Sequence, residues 1–343
     1  MRKPGFLFAV CALLLGVVVV VLGAYTRLVH AGLGCPDWPG CYGFLSVPRS
    51  DTAIELAQLR FPDSPVEAFK AWAEMIHRYA AGLLGLTILG LALLALRLRG
   101  RDGYPLKLPL ALLALVICQA LFGMWTVTLK LWPQVVTAHL LGGFATLSLL
   151  FLLCLRLSGR LPADVGLSAL RPLARAVLVV VIVQIALGGW VSSNYAAVAC
   201  VDLPTCHGEW WPEMDFAAGF NIFQEIGPNY LGGMLYGEGR TAIHFTHRVG
   251  ALVTTLITLL LAWRLYRAGL TATAAWLTLV LLTQVSLGIT NVLAHLPLPV
   301  AVAHNAVGAL LLLSMVLVNY QLRPAVIRVN RKSTGGVGHW TPV

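Results

Sequence analysis

The chain alternates between long apolar runs and shorter polar segments. A membrane span needs about 20 mostly apolar residues, and eight runs qualify: roughly 6–26, 70–96, 106–128, 134–155, 173–193, 241–265, 272–293 and 299–320. The pattern predicts an all-α integral membrane protein with eight transmembrane helices. The opening Met1-Arg2-Lys3-Pro4-Gly5 and the run behind it have the outline of a signal peptide, yet no small-x-small site precedes the polar Tyr25-Thr26-Arg27. The run therefore reads as an uncleaved first helix.

Composition agrees with this: 58% of the 343 residues are hydrophobic and 11% charged, outside the range of a soluble globular domain. Placing the N-terminus in the cytoplasm puts 16 of the 24 Lys and Arg on the cytoplasmic side. They include Arg97, Arg99, Arg101, Lys107, Arg156, Arg160, Arg171, Arg175 and the tail cluster Arg328, Arg331 and Lys332. The positive-inside rule favours that orientation, with both termini cytoplasmic. Twelve of the 14 acidic residues then fall outside or at the outer face, so the net charge of +10 is an asymmetry across the bilayer. These cations are spread over short turns, with no basic domain to hold a duplex, which argues against nucleic-acid binding.

Two long loops, about 27–69 and 194–240, fall on the outside. Loops of that length are usually functional or disordered. Each carries one cysteine pair, Cys35 with Cys41 and Cys200 with Cys206, on the oxidising side where disulfides persist. Cys11, Cys118 and Cys154 fall within helices and read as inert core residues.

Sliding the chain on itself by 165 residues aligns two halves. Leu22-Gly23-Ala24-Tyr25 falls on Leu187-Gly188-Gly189-Trp190, and Cys35, Asp37, Pro39 and Cys41 fall on Cys200, Asp202, Pro204 and Cys206. Gln119, Gly123 and Ala138-His139 meet Gln284, Gly288 and Ala303-His304, while an offset of 170 takes His77-Arg78 to His247-Arg248. Each half, 1–165 and 166–343, holds four helices. Four is even, so the halves share one orientation: two parallel four-helix bundles related by a pseudo-two-fold axis along the membrane normal, as also occurs in transporters.

Of nine histidines, four occupy repeat-equivalent positions in predicted spans, all near the outer ends: His77, His139, His247 and His304. Two facing histidines in a four-helix bundle ligate a haem iron from both sides. A bare metal fits less well, because two ligands per half are too few for zinc. Packing by single hydrogen-bonded histidines would not place a quartet twice over. Arg78 and Arg248 each follow a histidine and Arg27 closes the first helix, at the depth where haem propionates would emerge towards water; snorkelling is the other account of such arginines. The glycines flanking the histidines, Gly82, Gly85, Gly142, Gly143, Gly250 and Gly308, suit either a flat macrocycle or close helix packing.

The halves differ where an acidic group is concerned: position 74 is Glu and its counterpart is His244. The first reads Glu74-Met75-Ile76-His77-Arg78 and the second His244-Phe245-Thr246-His247-Arg248. Ionisable groups in a span mark functional sites by default, and residues three apart share a helix face. A carboxylate beside one porphyrin site and absent from the other suggests that one site does chemistry while the other holds a permanent electron carrier. An ion pair with Arg78 or a charge placed at a helix N-terminus is the competing account of Glu74.

Together, GAYTRLVHAGLGCPDWPGC after the first helix, EMIHR in the second, TAH in the fourth, HFTHR in the sixth and VAHNAVG in the eighth resemble the haem A synthases of bacteria and mitochondria. The resemblance covers all eight helices. It implies an oxidoreductase of haem A biosynthesis in the bacterial inner membrane, oxidising the C8 methyl of haem O to the formyl of haem A for terminal oxidases. Two hydroxylations would give a geminal diol that loses water. On that likeness His247 and His304 bind the iron of a resident haem b, His77 and His139 frame the substrate haem, and Glu74 matches the carboxylate suspected of catalytic work near the reacting methyl. The loop cysteines are open between a structural disulfide pinning a loop over the haem and thiol exchange. Haem O, haem O synthase, oxidase assembly factors and a second copy of the chain are the candidate partners.

Three other classes stand beside this reading. A dihaem b-type electron carrier needs the same histidines but leaves Glu74 without a task. A membrane thiol-disulfide oxidoreductase uses the loop cysteines but leaves the histidines idle, and a transporter explains only the repeat.

Overall fold

The computed structural model describes residues 2–101, 103–159 and 165–323; Arg160, Arg328, Arg331 and Lys332 lie outside the described residues. The helices are α1 (Phe6–Leu28), α2 (Asp51–Arg60), α3 (Ala68–Arg97), α4 (Lys107–Thr128), α5 (Pro133–Ser158), α6 (Arg171–Ser193), α7 (Phe216–Gly219), α8 (Gly237–Arg267), α9 (Thr271–Leu293) and α10 (Leu298–Gln321). Among the described residues eight helices are long and apolar enough to cross a membrane, and none forms a named strand. The chain is a multi-pass membrane protein. The predicted runs match these helices within a few residues, but α3 and α8 extend to 30 and 31 residues, longer than a bilayer requires.

Helix ends follow local chemistry. Pro stands first in α5 and second in α6 and α10, where its missing N–H is one the helix would leave unpaired in any case. The unanticipated α2 begins with Ser50, whose hydroxyl accepts the Ala53 N–H at 3.2 Å, an N-cap that offsets the weak amphipathicity of a ten-residue loop helix.

In the first half α1 and α4 each pack on both α3 and α5; in the second α6 and α9 each pack on both α8 and α10. That order leaves α3 diagonal to α5, and α8 diagonal to α10. The halves meet through α1 with α10, α5 with α6 and α5 with α10. Lipid gives no hydrophobic gain for helix association, so close packing at small residues matters most. Ala9, Ala12, Ala92 and Ala95 are buried in one half, and Ala174, Ala262 and Ala309 in the other. Of the three helix cysteines, only Cys154 belongs to a core; Cys11 and Cys118 are exposed. A thiol is apolar enough for hydrocarbon, so the span pattern does not distinguish the two faces.

Both long loops cover the same ends of the helices, and both close a disulfide, Cys35–Cys41 and Cys200–Cys206. Between the cysteines they fold alike. Asp37 accepts the N–H groups of Tyr42 and Gly43 at 2.6 and 2.7 Å, and Asp202 those of His207 and Gly208 at 2.8 and 2.9 Å. The Thr205 hydroxyl, then the Gly208 N–H, hold the Asp202 carboxyl down to about 2. At Gly40 a Cβ would lie 2.2 Å from the Phe44 carbonyl, so only glycine admits so tight a ring. A small core of Cys35, Cys41, Tyr42, Val47, Ala57, Ala71 and Met75 fastens the first loop to α3.

Candidate functional site

His77 and His139 project from the diagonal helices α3 and α5, and His247 and His304 from α8 and α10. His139 lies within electrostatic reach of His77, and His247 within reach of His304 and His244. The helix order thus brings each predicted pair together. Behind each imidazole stands a glycine of a neighbouring helix. An added Cβ would approach the ring Cε1 to 2.9 Å at Gly23 for His77, 3.1 Å at Gly188 for His247, 3.5 Å at Gly123 for His139 and 3.1 Å at Gly288 for His304. These four glycines are repeat-equivalent in pairs, and they set the imidazoles more directly than the glycines flanking the histidines in sequence. Gly142, Gly250 and Gly308 face the side chains of Gln119, Gln184 and Gln284, while Gly82, Gly85 and Gly143 have open space over the Cα.

Of the four Nδ1 atoms only that of His247 has a hydrogen-bond partner. Nδ1 of His77 and of His139 is buried with no partner. Gln184 Nε2 lies 3.0 Å from His247 Nδ1, and Gln284 Nε2 lies 3.2 Å from His304 Nε2. His304 keeps a buried, unpartnered Nδ1. Paired imidazoles with spare nitrogens, set in glycine-backed slots across a helix bundle, fit an axially ligated haem; among the described residues no cluster of three or more His, Cys, Asp or Glu fits a bare metal ion.

Glu74 is 4% exposed. Its Oε1 lies 2.5 Å from Arg78 Nη2, and its Oε2 accepts the Cys35 N–H at 2.9 Å. Its counterpart His244 accepts the Cys200 N–H through Nδ1 at 3.3 Å. Position 74 or 244 therefore latches the first cysteine of each loop in both halves, and only the first half does so with a carboxylate. The ion pair with Arg78 is present and coexists with the carboxylate's contact to the loop.

The three arginines are engaged within the protein. Arg78 Nη1 donates to the carbonyls of Asp37, Pro39 and Gly40 at 3.0, 3.3 and 2.6 Å. Arg248 donates to those of Thr205 and Cys200, each at 2.9 Å. Arg27 crosses to the other half: it donates to the Tyr195 hydroxyl at 2.5 Å and the Ser192 carbonyl at 2.6 Å, and covers the Tyr195 ring at 4.0 Å. Tyr195 in turn stacks on His30, its repeat counterpart. Partial burial, with Arg27 and Lys70 nearby, lowers the His30 pKa. Arg27 and Arg248 each retain a buried Nε–H without an acceptor, donors that suit a carboxylate.

Sequence spacing gave no sign of a strap from the second loop. Trp132 Nε1 donates to the Gln224 carbonyl at 3.1 Å, Gln134 Nε2 to that of Ile222 at 2.9 Å, and Tyr230 N to that of Lys130 at 3.0 Å. Residues 222–230 of the second half thus lie over the start of α5, the helix that carries His139. Only the five-residue surplus of the second loop hinted at extra structure there. Gln184 was also missed; its signal is an amide in an apolar span where the aligned first-half residue is Val19.

A family model described as cytochrome oxidase assembly protein (COX15-CtaA) matches residues 6–316. A haem A synthase of Shewanella oneidensis is 50% identical over 307 residues, 89% of this chain and 92% of the relative. A haem A synthase of Nitrosospira multiformis is 31% identical over 346 residues, 93% and 92% of the two chains. One of Rhizorhabdus wittichii is 29% identical over 320 residues, 87% and 88% of the two.

Proposed function

The chain belongs to the haem A synthase family of cytochrome oxidase assembly proteins, and from that membership we propose that it oxidises the C8 methyl of haem O to the formyl group of haem A. The observation that carries this reading is the doubled histidine pair, each ring backed by a glycine, with a carboxylate beside one pair only. Two bundles, 1–165 and 166–343, related by a pseudo-two-fold axis, account for the matched helix neighbours and loop contacts.

His77 and His139 orient the substrate haem, and their unpartnered Nδ1 atoms leave both rings available to it. His247 and His304 hold haem b, which when bound supplies one-electron transfer. Glu74 keeps a fixed negative charge or proton acceptor near the reacting methyl, held by Arg78 and the Cys35 N–H. The free Nε–H groups of Arg27 and Arg248 are the donors we assign to propionates, whereas Arg78 is given over to the loop and Glu74. Both disulfides act as structural pins in this reading, since their loops are tied by side chains of α3 and α8. The loop face is extracytoplasmic and both termini are cytoplasmic in a bacterial inner membrane, in keeping with the distribution of Lys and Arg. Direct handover from haem O synthase suits a membrane-bound, farnesylated substrate.

The purified protein is expected to show b-type Soret and alpha bands and to convert supplied haem O to haem A, read by chromatography of extracted haems. A colourless preparation that forms no haem A overturns the proposal.

A further inference from the structure

We propose that Gln184 is the positioning residue that makes the second histidine pair a permanent haem holder while the first remains an exchange site. The inference rests on the reading of His247 and His304 as the haem b ligands. Gln184 on α6 has Nε2 3.0 Å from His247 Nδ1 and 3.0 Å from the His247 carbonyl, and its Oε1 is buried with no partner. An amide in a membrane span is costly unless it finds partners. The partner here is an imidazole.

In the repeat, position 184 corresponds to position 19 (184 − 165 = 19), which is Val19. The Val19 backbone carbonyl is within hydrogen-bonding reach of His77. The halves therefore differ in what the side chain at this position offers the ring: a carboxamide in the second and an isopropyl group, with no hydrogen-bonding atom, in the first. A ring nitrogen that ligates iron must offer a lone pair, so the other nitrogen carries the proton and calls for an acceptor. Gln184 supplies either need: Nε2 donates to a bare Nδ1, and Oε1, the atom now unpartnered, accepts from Nδ1–H once the amide turns. The Val19 side chain supplies neither, so beyond the Val19 backbone carbonyl no group orients the ring, and His77 Nδ1 has no side-chain partner. Gln284 meets His304 at Nε2, 3.2 Å away, and leaves His304 Nδ1 unpartnered, so among the four histidines the Nδ1 contact is made by Gln184 alone. An oriented imidazole of fixed tautomer holds iron more tightly; one without that support lets go, as a site that takes in substrate and discharges product must.

The test uses full-length protein in detergent and measures haem loss to apomyoglobin, with the low-spin electron paramagnetic resonance signature of the bound haem as a second readout. Gln184→Val is expected to lose haem b about 10- to 100-fold faster than wild type and to shift the resonance. Gln184→Glu, which still accepts from Nδ1–H, should restore slow loss. The reciprocal Val19→Gln should slow haem loss from the first site, and it keeps the proposal testable if Gln184→Val does not fold. Wild-type loss rates and spectra in Gln184→Val, or in Val19→Gln when the former fails to fold, overturn the proposal. His247→Ala separates the two levels: if it keeps haem b, the site reading itself fails; if it loses haem b while Gln184→Val behaves as wild type, only the role of Gln184 fails.

Discussion

The Glu74 carboxylate accepts the backbone N–H of Cys35 at 2.9 Å, tying the acidic residue of the first site to the disulfide loop above it. His244 makes the corresponding bond to Cys200. One position therefore has a shared task, latching a loop, and in the first half a further property, negative charge.

That division predicts a separation by mutation. Glu74→His copies the second half, so it should keep the latch, melt above Glu74→Ala although it too loses the ion pair to Arg78, and form no haem A. Glu74→Ala loses the latch as well as the counter-charge of the Arg78 guanidinium, and is expected to destabilise by about 3–5 kcal/mol. Thermal melts and haem extraction check both, and wild-type product from Glu74→His would show that the charge is dispensable.

The two histidine pairs should respond differently. His247→Ala or His304→Ala is expected to purify without haem b, whereas His77→Ala or His139→Ala should retain haem b and form no haem A. Pyridine haemochrome spectra and product chromatography distinguish these outcomes. Activity in the latter pair would remove His77 and His139 from the substrate site.

Trp132→Phe deletes the donor to Gln224 without changing the apolar bulk of the ring greatly. Loss of one such bond is worth about 1 kcal/mol. Hydrogen exchange should quicken in residues 222–230, while α1 and α9 keep wild-type protection; unchanged exchange would mean that the strap is held elsewhere.

The first loop should show an alkaline limit. Burial first, then the charges of Glu67, Glu74 and Asp37, push Tyr42 up to about 12, and its hydroxyl donates to the Pro65 carbonyl at 2.9 Å. A raised pKa contributes stability that is complete below the unfolded value near 10 and is lost as pH rises through about 12. Phenolate absorbance at 295 nm should therefore show the tyrosine missing from the Tyr42→Phe variant titrating late, and a normal titration would contradict the burial of this ring. Asp202 has the opposite sign: its contribution is present above its ordinary value near 3.8 and is lost as pH falls through about 2.

Much of the site could be read before any coordinates. The length of an apolar run is a local property, so the eight spans follow from solvation of the backbone in lipid alone. The repeat then assigned His77 to His247 and His139 to His304, because helical register carries a side chain's face with it. The disulfide partners were equally local, six residues apart in each loop.

The chain by itself thus determined the spans, the doubled histidines, the cysteine pairs and the single acidic departure at Glu74. Tertiary structure alone decided partners. It turned the guanidiniums of Arg78 and Arg248 to loop carbonyls, sent Arg27 across to Tyr195, brought residues 222–230 over α5 and set Gln184 against His247. Hydrophobic length and periodicity report only which face of a helix avoids water. Which donor meets which acceptor depends on the order and rotation of helices far apart in sequence, and a polar group in an apolar run has no local sign of the partner it will find.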